Sequence, residues 1–186
     1  MAKTGIEYAI RAKLSEDGTY SGGTSFGPHS TFNGTPTVSD VKDYGDNRTV
    51  LTDKSVTGGT ISIEVNDMAN ETYAECLGHT IDAEKKTVTC KVDDIPPLFG
   101  VGAVGTSRRE TGYAYISKWY PKVQFKEPND ENSTRQENVT FTHVTLEGDL
   151  FQNDSGIWKE TAEFDTLAAA KAWLDEKAGI NKPAQS

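Results

Sequence analysis

The chain has 186 residues, 19 of them basic and 28 acidic, for a formal charge of −9. An acidic excess of this size argues against a protein that holds nucleic acid or an anionic membrane, because neutralising phosphates takes clustered Lys and Arg. Hydrophobic residues make up 35%, lean for a packed domain but too rich for a disordered polyanion, so a single domain over 1–186 with some poorly buried segments is expected.

The opening residues Met1 to Gly5 run straight into a strand-like stretch. They contain no apolar signal core, and no window approaches the roughly 18 apolar residues that cross a bilayer. The expectation is a chain made in the cytoplasm, with no membrane partner. Period-two alternation then dominates. Ile6, Tyr8, Ile10, Ala12 and Leu14 alternate with Glu7, Arg11 and Lys13, which predicts a strand with one buried face. Residues 15–36 carry five glycines besides Pro28 and Pro36 and read as a Gly-rich loop. A weaker strand over 35–42 leads into a polar segment, 43–59, read as a hairpin loop. Ile61, Ile63 and Val65 then alternate with Ser62 and Glu64.

Asn66-Asp67 can cap a helix over Met68 to Leu77, which Gly78 would terminate in a left-handed conformation. Val88, Cys90 and Val92 predict a strand, and a weaker one covers 98–106. Tyr113, Tyr115, Trp119, Val123 and Phe125 share one parity and are expected on a core face. Residues 127–137 are polar and read as a third loop. Val139 and Phe141 fall on one parity and Val144, Leu146 and Leu150 on the other, so that strand carries a bulge or is covered on both faces. A weak strand over 156–164 precedes a helix from Leu167 to Ala178, entered through Asp165-Thr166, ended by Gly179, and striped by Leu167, Ala170, Trp173 and Leu174. A polar tail completes the region 166–186. The fold class expected is mainly β, an antiparallel β-sandwich or barrel with one short flanking helix, a long hairpin loop and a C-terminal helix.

Motifs for chemistry are sparse. Gly100 to Gly105 satisfies GxGxxG, but no helix follows to receive a pyrophosphate, so a closely packed glycine strand is the better reading. His29, His79 and His143 are widely spaced, with no HExxH and no serine elbow. His79, beside Gly78, reads as a capping or packing residue. Cys76 and Cys90 do not make a disulfide framework or a zinc spacing and read as buried thiols. Asp93-Asp94 reads as a solvated strand end, since adjacent strand residues point to opposite faces. Asp43, Asp46, Asn47 and Asp53 lack the glycine and glutamate of a calcium loop. Sequons at Asn33, Asn47, Asn70, Asn132, Asn138 and Asn153 carry no weight among 22 threonines. No catalytic residue, metal ligand or cofactor is expected.

The order of elements does carry a likeness. A hairpin is followed by a helix ending Glu75-Cys76-Leu77-Gly78-His79-Thr80, then Asp93-Asp94-Ile95-Pro96-Pro97-Leu98-Phe99-Gly100, then Gly112-Tyr113-Ala114-Tyr115-Ile116-Ser117-Lys118-Trp119-Tyr120-Pro121-Lys122-Val123, and later Val144 to Leu150. Over residues 5–165 this resembles the major tail protein, or tail tube protein, of long-tailed bacteriophages with non-contractile tails. The resemblance implies hexameric rings stacked into a hollow tube, a virion location, assembly in the host bacterial cytoplasm, and partners comprising the subunit itself, a tape-measure protein and tail-end proteins. DNA would pass through without being held, and no catalysis would be involved. Asp43, Asp46, Arg48 and Asp53 become candidates for an inter-ring stacking arm, and Glu64 for the lumen face. A type VI secretion tube protein, or a carbohydrate-binding or adhesion β-sandwich, remains the alternative, with an exposed aromatic platform at Tyr113, Tyr115, Trp119 and Tyr120 marking the latter.

Overall fold

The computed structural model describes residues 2–45, 48–82, 84–110, 112–129 and 143–180. Its strands are β1 (Ala2–Leu14), β2 (Tyr20–Ser25), β3 (His29–Gly45), β4 (Arg48–Val65), β5 (Thr80–Asp82), β6 (Thr87–Thr89), β7 (Leu98–Arg109), β8 (Gly112–Phe125), β9 (Val144–Phe151) and β10 (Glu160–Phe164). The helices are α1 (Asn70–Leu77) and α2 (Leu167–Lys177). The fold is mainly β and antiparallel throughout, as the alternation predicts.

One large sheet runs in the order β2-β1-β7-β8-β9-β4-β3, with β10 beside the first half of β8; β5 and β6 form a separate ribbon. β1 and β3 touch although four strands separate them in the sheet, so the sheet curls back on itself. The first core lies inside this curl, where Phe99, Val101, Tyr120, Val123, Phe125, Ile61, Ile63, Val65, Leu146 and Leu150 meet Cys76 and Leu77 of α1. The second core lies on the outer face of β1, β7 and β8, where α2 packs Ala170 and Leu174 onto Ile10, Ala12, Val104 and Trp119.

Two cores explain where the one-face reading of β1 fails. Ala9, Ile10, Arg11 and Ala12 are all buried, because the inner side meets the first core and α2 covers the outer side. In β8 a bulge divides the strand. Val101 pairs with Tyr120 and Phe99 with Val123, so Pro121 and Lys122 include one residue more than β7 supplies. The extra residue reverses which parity faces inward: Trp119 serves the second core, while Val123 and Phe125 serve the first. Pro121, which has no N–H to offer a ladder, sits where the neighbour of β8 changes from β10 to β9. Tyr113, expected in the core, is exposed, because it lies at the far end of β8, paired with Arg108 near the turn.

The helix signals hold at three of four ends. Gly78 has φ 76° and donates its N–H to Ala74 O, and Thr166 accepts from Ala169 N. α1, however, begins at Asn70 with Ala69 at its N-cap and no side-chain cap, three residues past the expected Asn66-Asp67. The GxGxxG segment is continuous strand. A Cβ at Gly100 would run into the rings of Trp119 and Tyr20, and one at Gly102 would lie 2.6 Å from Leu174 Cδ2, so side chains, more than backbone, account for these glycines. Cys76 is buried, and burial pushes its thiol up to about 12 despite nearby Arg11. Cys90 is exposed, contrary to expectation, because β6 stops at Thr89 and the two-stranded β5–β6 ribbon offers no core beside it; Val92 is exposed for the same reason.

Candidate assembly surface

The three expected loops fare differently. Residues 15–36 are largely strand, comprising β2 and the start of β3. No residue of β2 is fully buried, so neither face imposes an alternation, and its glycines and polar residues leave no strand signal. Of 127–137, residues 130–137 lie outside the described residues, as do Val139 and Phe141.

The segment 43–59 is a paired ribbon. β3 and β4 stay paired as far as Gly45 opposite Arg48, with register shifts between Thr37 and Val38 and between Asp43 and Tyr44, whereas β9 accompanies β4 only from Gly59 to Val65. Beyond Gly58 and Gly59 the two strands therefore leave the sheet without a third. About eight residue pairs at roughly 3.3 Å each give a ribbon on the order of 25 Å long. Gly59 marks its base: a Cβ there would collide with Thr35 O, and one at Gly58 would lie 3.1 Å from Leu150 O. Asp43 pairs with Leu51, Asp53 with Val41, and Arg48 with Gly45; Asp46 lies outside the described residues. Asp43, Arg48 and Asp53 are thus distributed along the ribbon and are not gathered at one point of its backbone. The ribbon also carries Val38, Val41, Tyr44, Val50, Leu51 and Val56, so it is less polar than the loop reading supposed. Val38, opposite Val56, is 52% exposed.

Glu64 lies elsewhere, on the outer face of β9-β4-β3, where the alternation with buried Ile61, Ile63 and Val65 places it. Its cross-strand neighbours are Thr31 and Thr145, while Ser62 faces Glu147 and Asn33, and Thr60 faces Asp149 and Thr35. This face is built of Thr, Ser, Asn and three carboxylates. α2 covers the other half of the sheet's outer side, and among the described residues no helix lies over this half. His143 Nδ1 lies 2.8 Å from Glu64 Oε1, Thr31 Oγ1 donates to Oε2 at 3.4 Å, and Lys126 reaches Asp149 at 2.6 Å. Hydrogen bonds from His143 and Ser30 hold the Glu64 carboxyl below the usual carboxylate range. A depressed folded value means stabilisation that is present above the unfolded value and lost as pH falls through the folded one. The difference in thermal midpoint between wild type and Glu64→Gln is therefore expected to shrink steadily on acidification below about pH 4.5; a difference independent of pH would contradict it.

The aromatic platform is not assembled. Trp119 and Tyr120 are 1% and 2% exposed, leaving Tyr113 at the surface. β2 and β3 form the two ends of the sheet path, and among the described residues no strand pairs with their outer edges. No described helix is long and apolar enough to cross a membrane. The chain matches no family model, and no curated protein is closely similar to it in sequence.

Proposed function

We propose that the chain is a self-assembling structural subunit whose rings stack into a hollow tube, as the likeness to phage tail tube proteins implies. The ribbon from Val38 to Val56 carries the reading. An isolated two-stranded ribbon is marginally stable in water, and this one bears apolar residues with no core beside those described near its base, Val38–Asp40 and Ser55–Gly58. Contact with a neighbouring subunit would bury them. The outer edges of β2 and β3 supply a second motive, since a closed ring in which each edge meets the next subunit removes unpaired backbone groups. The face around Glu64, Glu147 and Asp149 suits a lumen: an acidic wall repels phosphates and lets DNA slide where a basic wall would hold it. The proposed work is mechanical and electrostatic, without catalysis.

Negative-stain electron microscopy of concentrated protein tests it. Wild type is expected to give rings or hollow tubes without a sheath, and a variant lacking residues 44–56 to give folded subunits that do not polymerise. Compact monomers of wild type at every concentration would overturn the assembly reading, and normal tubes from the deletion would overturn the role of the ribbon.

A further inference from the structure

Beside the C-terminal end of α1, side chains from three separate stretches of chain converge. The His79 imidazole, its side chain 6% exposed, has Nδ1 2.8 Å from Asp94 Oδ2 and Nε2 3.0 Å from Glu127 Oε2. Asp94 is itself fixed by the Lys91 N–H at 2.8 Å. The Cys90 thiol lies 3.8 Å from the Tyr73 hydroxyl, which also donates to Glu127 Oε1. One donor atom from each of His79, Cys90 and Glu127 falls within 4.8 Å of the other two.

We propose that His79, Cys90 and Glu127 bind a divalent transition metal of the zinc class, with Asp94 as the residue that positions the His79 ring. The donor set is one nitrogen, one sulfur and one oxygen, which suits zinc and excludes magnesium or calcium, whose sites are built from oxygen. Ligands at about 2.0–2.3 Å from a tetrahedral ion stand roughly 3.3–3.7 Å apart, so a contraction on the order of 1 Å closes the site. The two groups that would move are the accessible ones: Cys90 is exposed and the Glu127 side chain is 55% exposed. The third is held in place. A histidine with one ring nitrogen hydrogen-bonded to a carboxylate presents the other in a fixed direction and with raised basicity, the arrangement found behind most metal-binding imidazoles. An ion triad of His79 between two carboxylates would account for the ring but gives the thiol no part. Three protein ligands leave a fourth position for water or for a group from a neighbouring chain.

Cobalt(II) titration of the full chain tests the site without reference to assembly. Wild type is expected to develop a thiolate-to-cobalt charge-transfer band together with the visible absorption of tetrahedral cobalt, saturating at one ion per chain and reversed by zinc. Cys90→Ser, at an exposed position, should fold normally and lose the charge-transfer band. Asp94→Asn should keep the band and bind about 10–100-fold more weakly. Absence of the band in wild type under excess cobalt, or its survival in Cys90→Ser, would overturn the site; unchanged affinity in Asp94→Asn would remove Asp94 from the proposal.

Discussion

Replacing Trp119 with alanine is expected to lower stability by about 3–5 kcal/mol, the range for emptying a buried large aromatic side chain. Trp119 is 1% exposed and its ring meets Tyr20 edge-on, with centroids 5.1 Å apart and planes at 86°. It also fills the space that Gly100 and Gly102 leave open and lies against Leu174 of α2 through the second core. Those glycines have no side chain with which to close a cavity, so the hole should persist and the loss should fall in the upper half of the range. In a domain of this size that corresponds to a fall in thermal midpoint on the order of 10 °C. Hydrogen exchange should show α2 losing protection first, since it rests on β8 through this packing and the Ser117 Oγ to Ala170 O bond at 3.0 Å. Tyr113→Ala, at the exposed end of the same strand, should change stability by less than about 0.5 kcal/mol. A loss below about 1 kcal/mol for Trp119→Ala would mean that the second core collapses around the hole.

The same strand shows what a sequence can and cannot disclose. Wherever a strand has one wet face and one dry face, the alternation is enforced and legible, as in Ile61 to Val65. Where both faces are covered the alternation no longer marks exposure: Arg11, on the polar parity of β1, is 2% exposed because α1 and Phe26 cover it while α2 covers Ile10 and Ala12. In β8 the alternation survives in the letters, but the bulge at Pro121 sends one parity to two different cores. The described base of the β3–β4 ribbon, Val38–Asp40 and Ser55–Gly58, joins neither core, so no alternation is imposed there and the pairing leaves no mark in the sequence. His79, Cys90 and Glu127 belong to three different segments with up to 48 positions between them. Their convergence depends on the turn at Asp94 and the exit of β8, neither of which has a spacing rule.

Glu75→Ala should destabilise the protein more than Arg11→Met, although the arginine is the buried partner. The Arg11 guanidinium, with its side chain 3% exposed, has Nη2 2.6 Å from Glu75 Oε2 and 3.4 Å from Thr72 Oγ1, donates from Nη1 to Ser25 O at 3.1 Å, and lies 5.2 Å from the Phe26 ring centroid. Its Nε is buried and has no hydrogen-bond partner among the described residues. Taking a cation out of water costs several kcal/mol, which a close carboxylate offsets. Removing that carboxylate leaves the charge buried against two neutral oxygens, an arrangement that costs about 3–5 kcal/mol when both partners are fully enclosed. The Glu75 side chain is 39% exposed, so water screens part of the attraction and about 2–3 kcal/mol is the expected loss for Glu75→Ala. Arg11→Met removes the desolvation penalty together with the charge, keeps the apolar stem against Phe26 and returns Glu75 to solvent, for a loss of about 1 kcal/mol. The double variant should therefore be more stable than Glu75→Ala alone, and chemical denaturation of the four proteins gives the coupling directly. If Arg11→Met proves the worse of the two, the pair is a net source of stability; the expected order makes it a device that fixes α1 to β1 and the edge strand β2 in a single orientation.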